Sequence, residues 1–141
     1  MSDAAECIFC KIVSGELSCQ KVYEDDKVLG ILDIYPFAKG HCQIIPKRHV
    51  QWFYDMEDEE IAHLARVAKL VANKIKKAFN PDFVCGFVRG KRIPHVHIIL
   101  FPIFEGDMLD RLFGALDLVQ LFPGEIAKLA PGSVARKIRD A

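Results

Sequence analysis

The chain has 141 residues, 51% of them apolar and 27% charged, with 19 Lys and Arg set against 19 Asp and Glu. That length suits one domain with a sizeable core, and the charge balance argues against partners such as bulk nucleic acid or an anionic membrane. No apolar run is long enough to span a bilayer, and the opening MSDAAECIFCKIV lacks a signal-peptide pattern. An odd count of cysteines, five, argues against a disulfide framework, so a cytoplasmic protein is expected.

In chain order, CIFCKIVSGE carries a Cys-x-x-Cys pair in a short turn closed by Gly15. A first strand begins at Val22 and Tyr23, an acidic turn follows at Glu24 to Asp26, and residues 28–34 form the second strand. YPFAKG is a loop, broken at Pro36 and eased by Gly40, and HCQIIPK is a third strand stopped at Pro46. Residues 57–79 are the clearest helix. Ile61, Leu64, Ala65, Ala68, Val71, Ala72, Ile75 and Phe79 recur at helical spacing. Asp55 is the expected N-cap, acidic residues fill the first turn, and Lys74, Lys76 and Lys77 fill the last. DFVCGFVRG and RIPHVHIILFP then read as two strands of a hairpin linked by little more than Gly90 and Lys91. Beyond Pro102, the segments EGDMLDRLFGALDLV and PGEIAKLAPGSVARKIRDA read as helical pieces. The expected fold class is α+β: an antiparallel sheet, one long helix and a C-terminal helical tail. Residues 1–102 form the main body, and 103–141 an extension of the same compact domain.

The chemistry concentrates in a few residues. His95 and His97 stand two apart in an apolar segment, which on a strand places both on one face about 6.6 Å apart, with Ile99 next on that face. Two buried, hydrogen-bonded core histidines are one reading of this pair; a working site is the other. Cys7 and Cys10 can be buried apolar cysteines, a redox pair, or half of a four-ligand metal site. His41 and His49 lie at opposite ends of the third strand, and spacing alone does not choose between them as further ligands. His63 falls on the helix and is expected to face solvent.

Taken together, CIFCKIVSGE, KVYEDDKVLGILDIYPFAKGH, IIPKRHV and IPHVHIILFP resemble the histidine triad (HIT) family of nucleotide-binding proteins, over residues 6–102. The resemblance implies hydrolysis or transfer at the α-phosphate of a nucleotide conjugate, with His97 as nucleophile. It implies a structural zinc ion held by Cys7, Cys10, His49 and His95. It also implies that Asp33 binds the ribose hydroxyls and that Ile8, Phe9, Ile31 and Ile34 hold the base. A homodimer and a purine nucleotide or conjugate as ligand follow from the same likeness. The chain departs from the family pattern in three places, one being DFVCGFV, which lacks an asparagine usually found on that strand. Ile99 replaces the third histidine, and Lys91 and Arg92 replace the amide and hydroxyl that usually precede the triad; two cations there can neutralise phosphate, or else stand as solvated turn residues. The expected activity is that of a nucleoside phosphoramidase or related hydrolase. A nucleotide-binding regulatory module with weak or lost catalysis is the alternative, and a cytosolic Cys-x-x-Cys redox protein is a third.

Overall fold

The computed structural model describes residues 4–118, 128 and 132–141. Backbone contacts divide the chain into two compact units, Met1–Phe104 and Glu105–Ala141. The first opens with a turn of 3₁₀ helix and a short helix α1 (Ile8–Val13), followed by strands β1 (Lys21–Glu24), β2 (Val28–Leu32) and β3 (Cys42–Pro46). The long helix α2 (Asp58–Phe79) comes next, and β4 (Phe83–Arg89) and β5 (His97–Ile103) complete the unit. The second unit contains α3 (Met108–Asp117), capped by the Asp107 side chain on the Asp110 amide, and α4 (Gly132–Arg139). Part of the C-terminal helical expectation, residues 119–127 and 129–131, lies outside the described residues.

The five strands form one antiparallel sheet in the order β1-β2-β3-β5-β4. Strand alternation sorts side chains to its two faces. Val28, Cys42, Ile44 and Leu100 point to one side, where they pack with Leu64, Val67, Ala68, Val71 and Ile75 of α2. Leu29, Ile31 and Ile45 point to the other, where they pack with Cys7 and Phe9 of the N-terminal segment. Each fully buried Leu, Ile or Val in these layers stabilises the fold by roughly 2 kcal/mol. The α2 periodicity is as expected with one exchange: Ala65 is exposed and Val67 is buried.

Several local expectations are corrected. The N-cap of α2 is Glu57, not Asp55, and it forms a reciprocal capping box with Glu60. Asp55 belongs to a preceding 3₁₀ turn, Phe53–Asp55. The second strand ends at Leu32, which leaves Asp33 and Ile34 in the following loop. His63 is half-buried rather than solvated, and its Nε2 lies 2.7 Å from Asp25 Oδ2. Most consequential, β4 and β5 are not joined by a tight turn. Residues 90–96 form a longer connection, so His97 opens β5 and His95 precedes it. Pro94 centres a three-residue turn closed by the His95 amide on the Ile93 carbonyl at 2.8 Å. The Val96 amide then donates to the Val50 carbonyl at 2.7 Å, which draws His95 toward His49.

Candidate functional site

Two constellations share one wall. The first is a cysteine–histidine cluster. Cys7 caps α1 in extended backbone, and Cys10 follows one helical turn later on the same side. His49 and His95 complete the group, and one ligand atom from each of the four lies within 4.8 Å of all the others. Cys7 Sγ stands 3.4 Å from His95 Nδ1, Cys10 Sγ 3.6 Å from the same nitrogen and 3.2 Å from His49 Nδ1. A tetrahedral ion with metal–sulfur and metal–nitrogen bonds of typical zinc length sets sulfur and nitrogen ligands about 3.6 Å apart. The His95 Nε2–H donates to the Pro46 carbonyl at 2.8 Å, which leaves the Nδ1 lone pair aimed at the thiols. Burial holds the His95 imidazole neutral, with a pKa lowered to about 4. Burial, reinforced by the Cys7 thiol, raises Cys10 to about 11. The donors therefore stand at the spacing, and His95 in the protonation state, that a four-coordinate metal requires, and metal binding would release thiol protons.

The second constellation is a cavity of about 320 Å³ on the α1 side of the sheet. Ile8, Phe9, Ile12, Ile31, Ile34 and Ile93 supply an apolar wall, while Asp33, His41, Gln43, Arg89, Arg92 and His97 supply its polar groups. His97 is buried, and its Nδ1–H donates to the His95 carbonyl at 2.8 Å. Its Nε2 is thereby the unprotonated nitrogen available to the cavity. Burial lowers the His97 pKa, and the Arg89 charge acts in the same direction against an opposing pull from Asp33. Phe9 packs edge-on against His97 at 5.0 Å and against His95 at 5.8 Å, so one ring braces both.

Asp33 stands in the loop directly after β2, with Oδ1 accepting the Tyr35 amide at 2.7 Å and Oδ2 accepting the Gln43 side-chain amide. His41 Nδ1 accepts the Phe37 amide at 3.2 Å, and the Phe37 ring stacks on the imidazole at 5.2 Å. His41 Nε2 is 3.5 Å from Asp33 Oδ2. Burial lowers the His41 pKa, against the attraction of Asp33.

The structure brings Ile8, Phe9, Ile31, Asp33, Ile34, Arg92 and His97 to this cavity, and Cys7, Cys10, His49 and His95 to the cluster. Lys91 is exposed and is not among the lining residues. Ile99 also lines the cavity, two residues beyond His97 on the same strand face. The sequence reading missed Arg89 and Gln43, and weighed His41 only as a further metal ligand, whereas it lines the cavity. Arg89 lies directly across from His97 in the β4–β5 register, and Gln43 directly across from Ile99 in the β3–β5 register. Only a strand alignment exposes such partners.

A HIT domain family model matches residues 14–106. An uncharacterized HIT-like protein of Methanocaldococcus jannaschii is 39% identical over 119 residues, covering 82% of this chain and 92% of the relative. Adenosine 5′-monophosphoramidase hnt1 of Schizosaccharomyces pombe is 36% identical over 101 residues, covering 68% of this chain and 73% of the relative. Among solved structures, a zinc-bound histidine triad family protein of Mycobacterium smegmatis superposes with a TM-score of 0.70 at 33% identity, covering 76% of this chain and 81% of that one. With the sheet, the cluster and the cavity in place, these likenesses put the chain in the histidine triad (HIT) domain family.

Proposed function

We propose that this protein is a nucleotidyl hydrolase that releases a nucleoside monophosphate from a phosphoramidate or similar purine nucleotide conjugate. The observation that carries the reading is His97, neutral and tautomerically set by the His95 carbonyl, at a cavity that also holds a carboxylate and two guanidinium groups. In the first step Nε2 attacks the α-phosphorus and a P–N bond to His97 forms. The bond to the leaving group breaks, and the departing amine takes its proton from solvent. The Nδ1–H bond to His95 stabilises the positive ring that results, while Arg89 and Arg92 offset the charge on the phosphoryl oxygens. Water then cleaves the phosphorus–histidine bond, which returns neutral His97 and the nucleoside monophosphate. Asp33 accepts hydrogen bonds from the ribose, and Ile8, Phe9, Ile31 and Ile34 hold the base.

The metal in this reading is zinc, held by Cys7, Cys10, His49 and His95. Such a ligand set leaves no open position, so its contribution is to hold the segment before β5 in place. Lys91 is not among the cavity-lining residues, so this reading gives it no phosphate contact.

A nucleotide-binding module with little turnover is the second reading, favoured by buried, apolar Ile99 beside His97. One experiment separates them. Wild type and His97→Ala are incubated with an adenosine 5′-phosphoramidate, and intact mass and released AMP are followed. The hydrolase reading expects an acid-labile adenylate on wild type and a loss of turnover of roughly 10³-fold or more in the variant, with binding largely spared. Tight AMP binding by wild type with neither adduct nor release would sink it in favour of the binding module.

A further inference from the structure

The strand face that carries His97 continues along β5 through Ile99 to Phe101, and the paired strands fix what stands beside each. Arg89 lies across from His97, while Phe87 and Gln43 lie across from Ile99 on its two sides. Ile99 is 3% exposed and lines the cavity. The nucleophile is therefore flanked by a hydrocarbon along its own strand and by a guanidinium across from it. Neither releases a proton near neutral pH. The Gln43 amide donates to Asp33 and is no acid, and Asp33 serves as acceptor for two amides. His41 stands one row farther along, packed edge-on against Phe101 at 5.7 Å. Burial favours its neutral form, whose proton sits on Nε2, 3.5 Å from Asp33 Oδ2. Of the other protic lining groups, Tyr35 is 80% exposed, and Ser18 and Cys19 come from the segment before β1, three strands from β5 in sheet order. Among the described residues, no acid stands beside His97 on the sheet face.

We propose that Ile99 makes this site select substrates by the acidity of the group displaced: it takes conjugates that join a nucleoside monophosphate to a second acid, and turns over those joined to a basic amine or alcohol far more slowly. The inference rests on the hydrolase reading above and deepens it. When His97 Nε2 attacks phosphorus, the P–N bond forms as the bond to the leaving group breaks, and the electron pair departs with that group. A carboxylate, phosphate or sulfate leaves as a stable oxyanion and needs no proton, and Arg89 and Arg92 can meet its charge. An amine or alcohol must be protonated as it leaves, and here the proton comes from solvent. A positioned acid contributes roughly 10²–10⁴-fold to such a step. Isoleucine at position 99 withholds that factor, and only basic leaving groups feel the loss.

The test uses AMP esterified to para-nitrophenol, para-chlorophenol and phenol, which share one bond type and span about three units of leaving-group acidity. Released AMP gives kcat/KM for wild type and Ile99→His, each checked for a cooperative melt. Wild type is expected to lose at least about 100-fold from the most acidic phenol to the least. Ile99→His sets an imidazole on the strand face beside His97, and the same ratio is expected to fall to about tenfold or less through faster release of phenol. An unchanged ratio in a folded variant, the mark of a merely structural role for Ile99, overturns the inference. An even rate across the series in wild type overturns it too, and so does turnover of adenosine phosphoramidate with none of the esters; all three leave the hydrolase reading standing. If Ile99→His does not fold, the wild-type series decides. No AMP from any ester or from the phosphoramidate, or release that survives His97→Ala, removes both readings together.

Discussion

A second proton has no favourable place on His95. Its Nε2–H is committed to the Pro46 carbonyl, its Nδ1 faces two sulfurs, and burial lowers its pKa from 6.5 to about 4. In the unfolded chain the same ring titrates at its ordinary value. Between about pH 6.5 and pH 4 the unfolded state therefore binds a proton that the folded state excludes, and stability rises with pH through that window. The contribution is complete above the unfolded value and is lost as the pH falls toward the folded one. The metal-free protein is expected to lose about 3 kcal/mol across the window from this group alone. His41 and His97 shift in the same direction and add to the loss. Urea titrations at a series of pH values measure it, and a flat profile between pH 7 and pH 4 refutes the assignment. At this scale the Cys-x-x-Cys pair was legible as half of a possible site, while His49 and His95 came as its partners only through the family resemblance, since spacing alone left His41 and His49 open. Gln43 and Arg89 were not. Each matters through the residue it faces across the sheet, and strand register is invisible until the strands are paired.

The element that decides the site's geometry is the connection 90–96, which the sequence reading compressed into a tight turn. Gly90 is buried there, and a Cβ added to it would overlap the Gln51 carbonyl. The backbone of this segment thus lies against the strand-to-helix connection that also presents His49. Gly90→Ala is expected to force the two apart, with a stability loss of about 2 kcal/mol and weaker metal retention; a melt and a metal assay report it. An alanine variant with wild-type values in both would show that the contact is dispensable. Helix α2 was legible in extent, because a long amphipathic stripe at period 3.6 has few competitors. Its cap was not, because Asp outranks Glu as a lone N-cap, whereas here the Glu57–Glu60 reciprocal pair prevails. His63 was misplaced for a related reason. Asp25 accepts from Tyr23, Lys27, Val28 and His63, and this cluster ties the β1–β2 turn to α2. Nothing in the local periodicity announces it.

Across the whole molecule, the cysteine–histidine cluster joins segments that are far apart in the chain. Cys7 and His95 are 88 residues apart, and Cys10 and His49 are 39 apart. An ion bound there closes long loops in the folded state and has no ready-made site in the unfolded one, so its binding energy is folding energy. Treatment with a strong chelator is expected to lower the melting temperature on the order of 10 °C, with α1 and residues 90–96 the first to gain hydrogen exchange. No change in melting after verified metal removal would detach the cluster from stability. The fold class was readable from strand and helix patterns taken together, while the distance between the cluster and the cavity was not, because both depend on how the N-terminal segment returns to the sheet. That return has a consequence for control. In Cys7-Ile8-Phe9-Cys10 the outer pair belongs to the cluster and the inner pair to the cavity wall. On the reading proposed above, metal and nucleotide order the same four residues, so either pre-orders the segment for the other, and linkage makes the gain in affinity mutual. Oxidising or emptying the thiol pair would then loosen the grip on the base without touching His97, turning the supply of zinc into a dial on substrate capture.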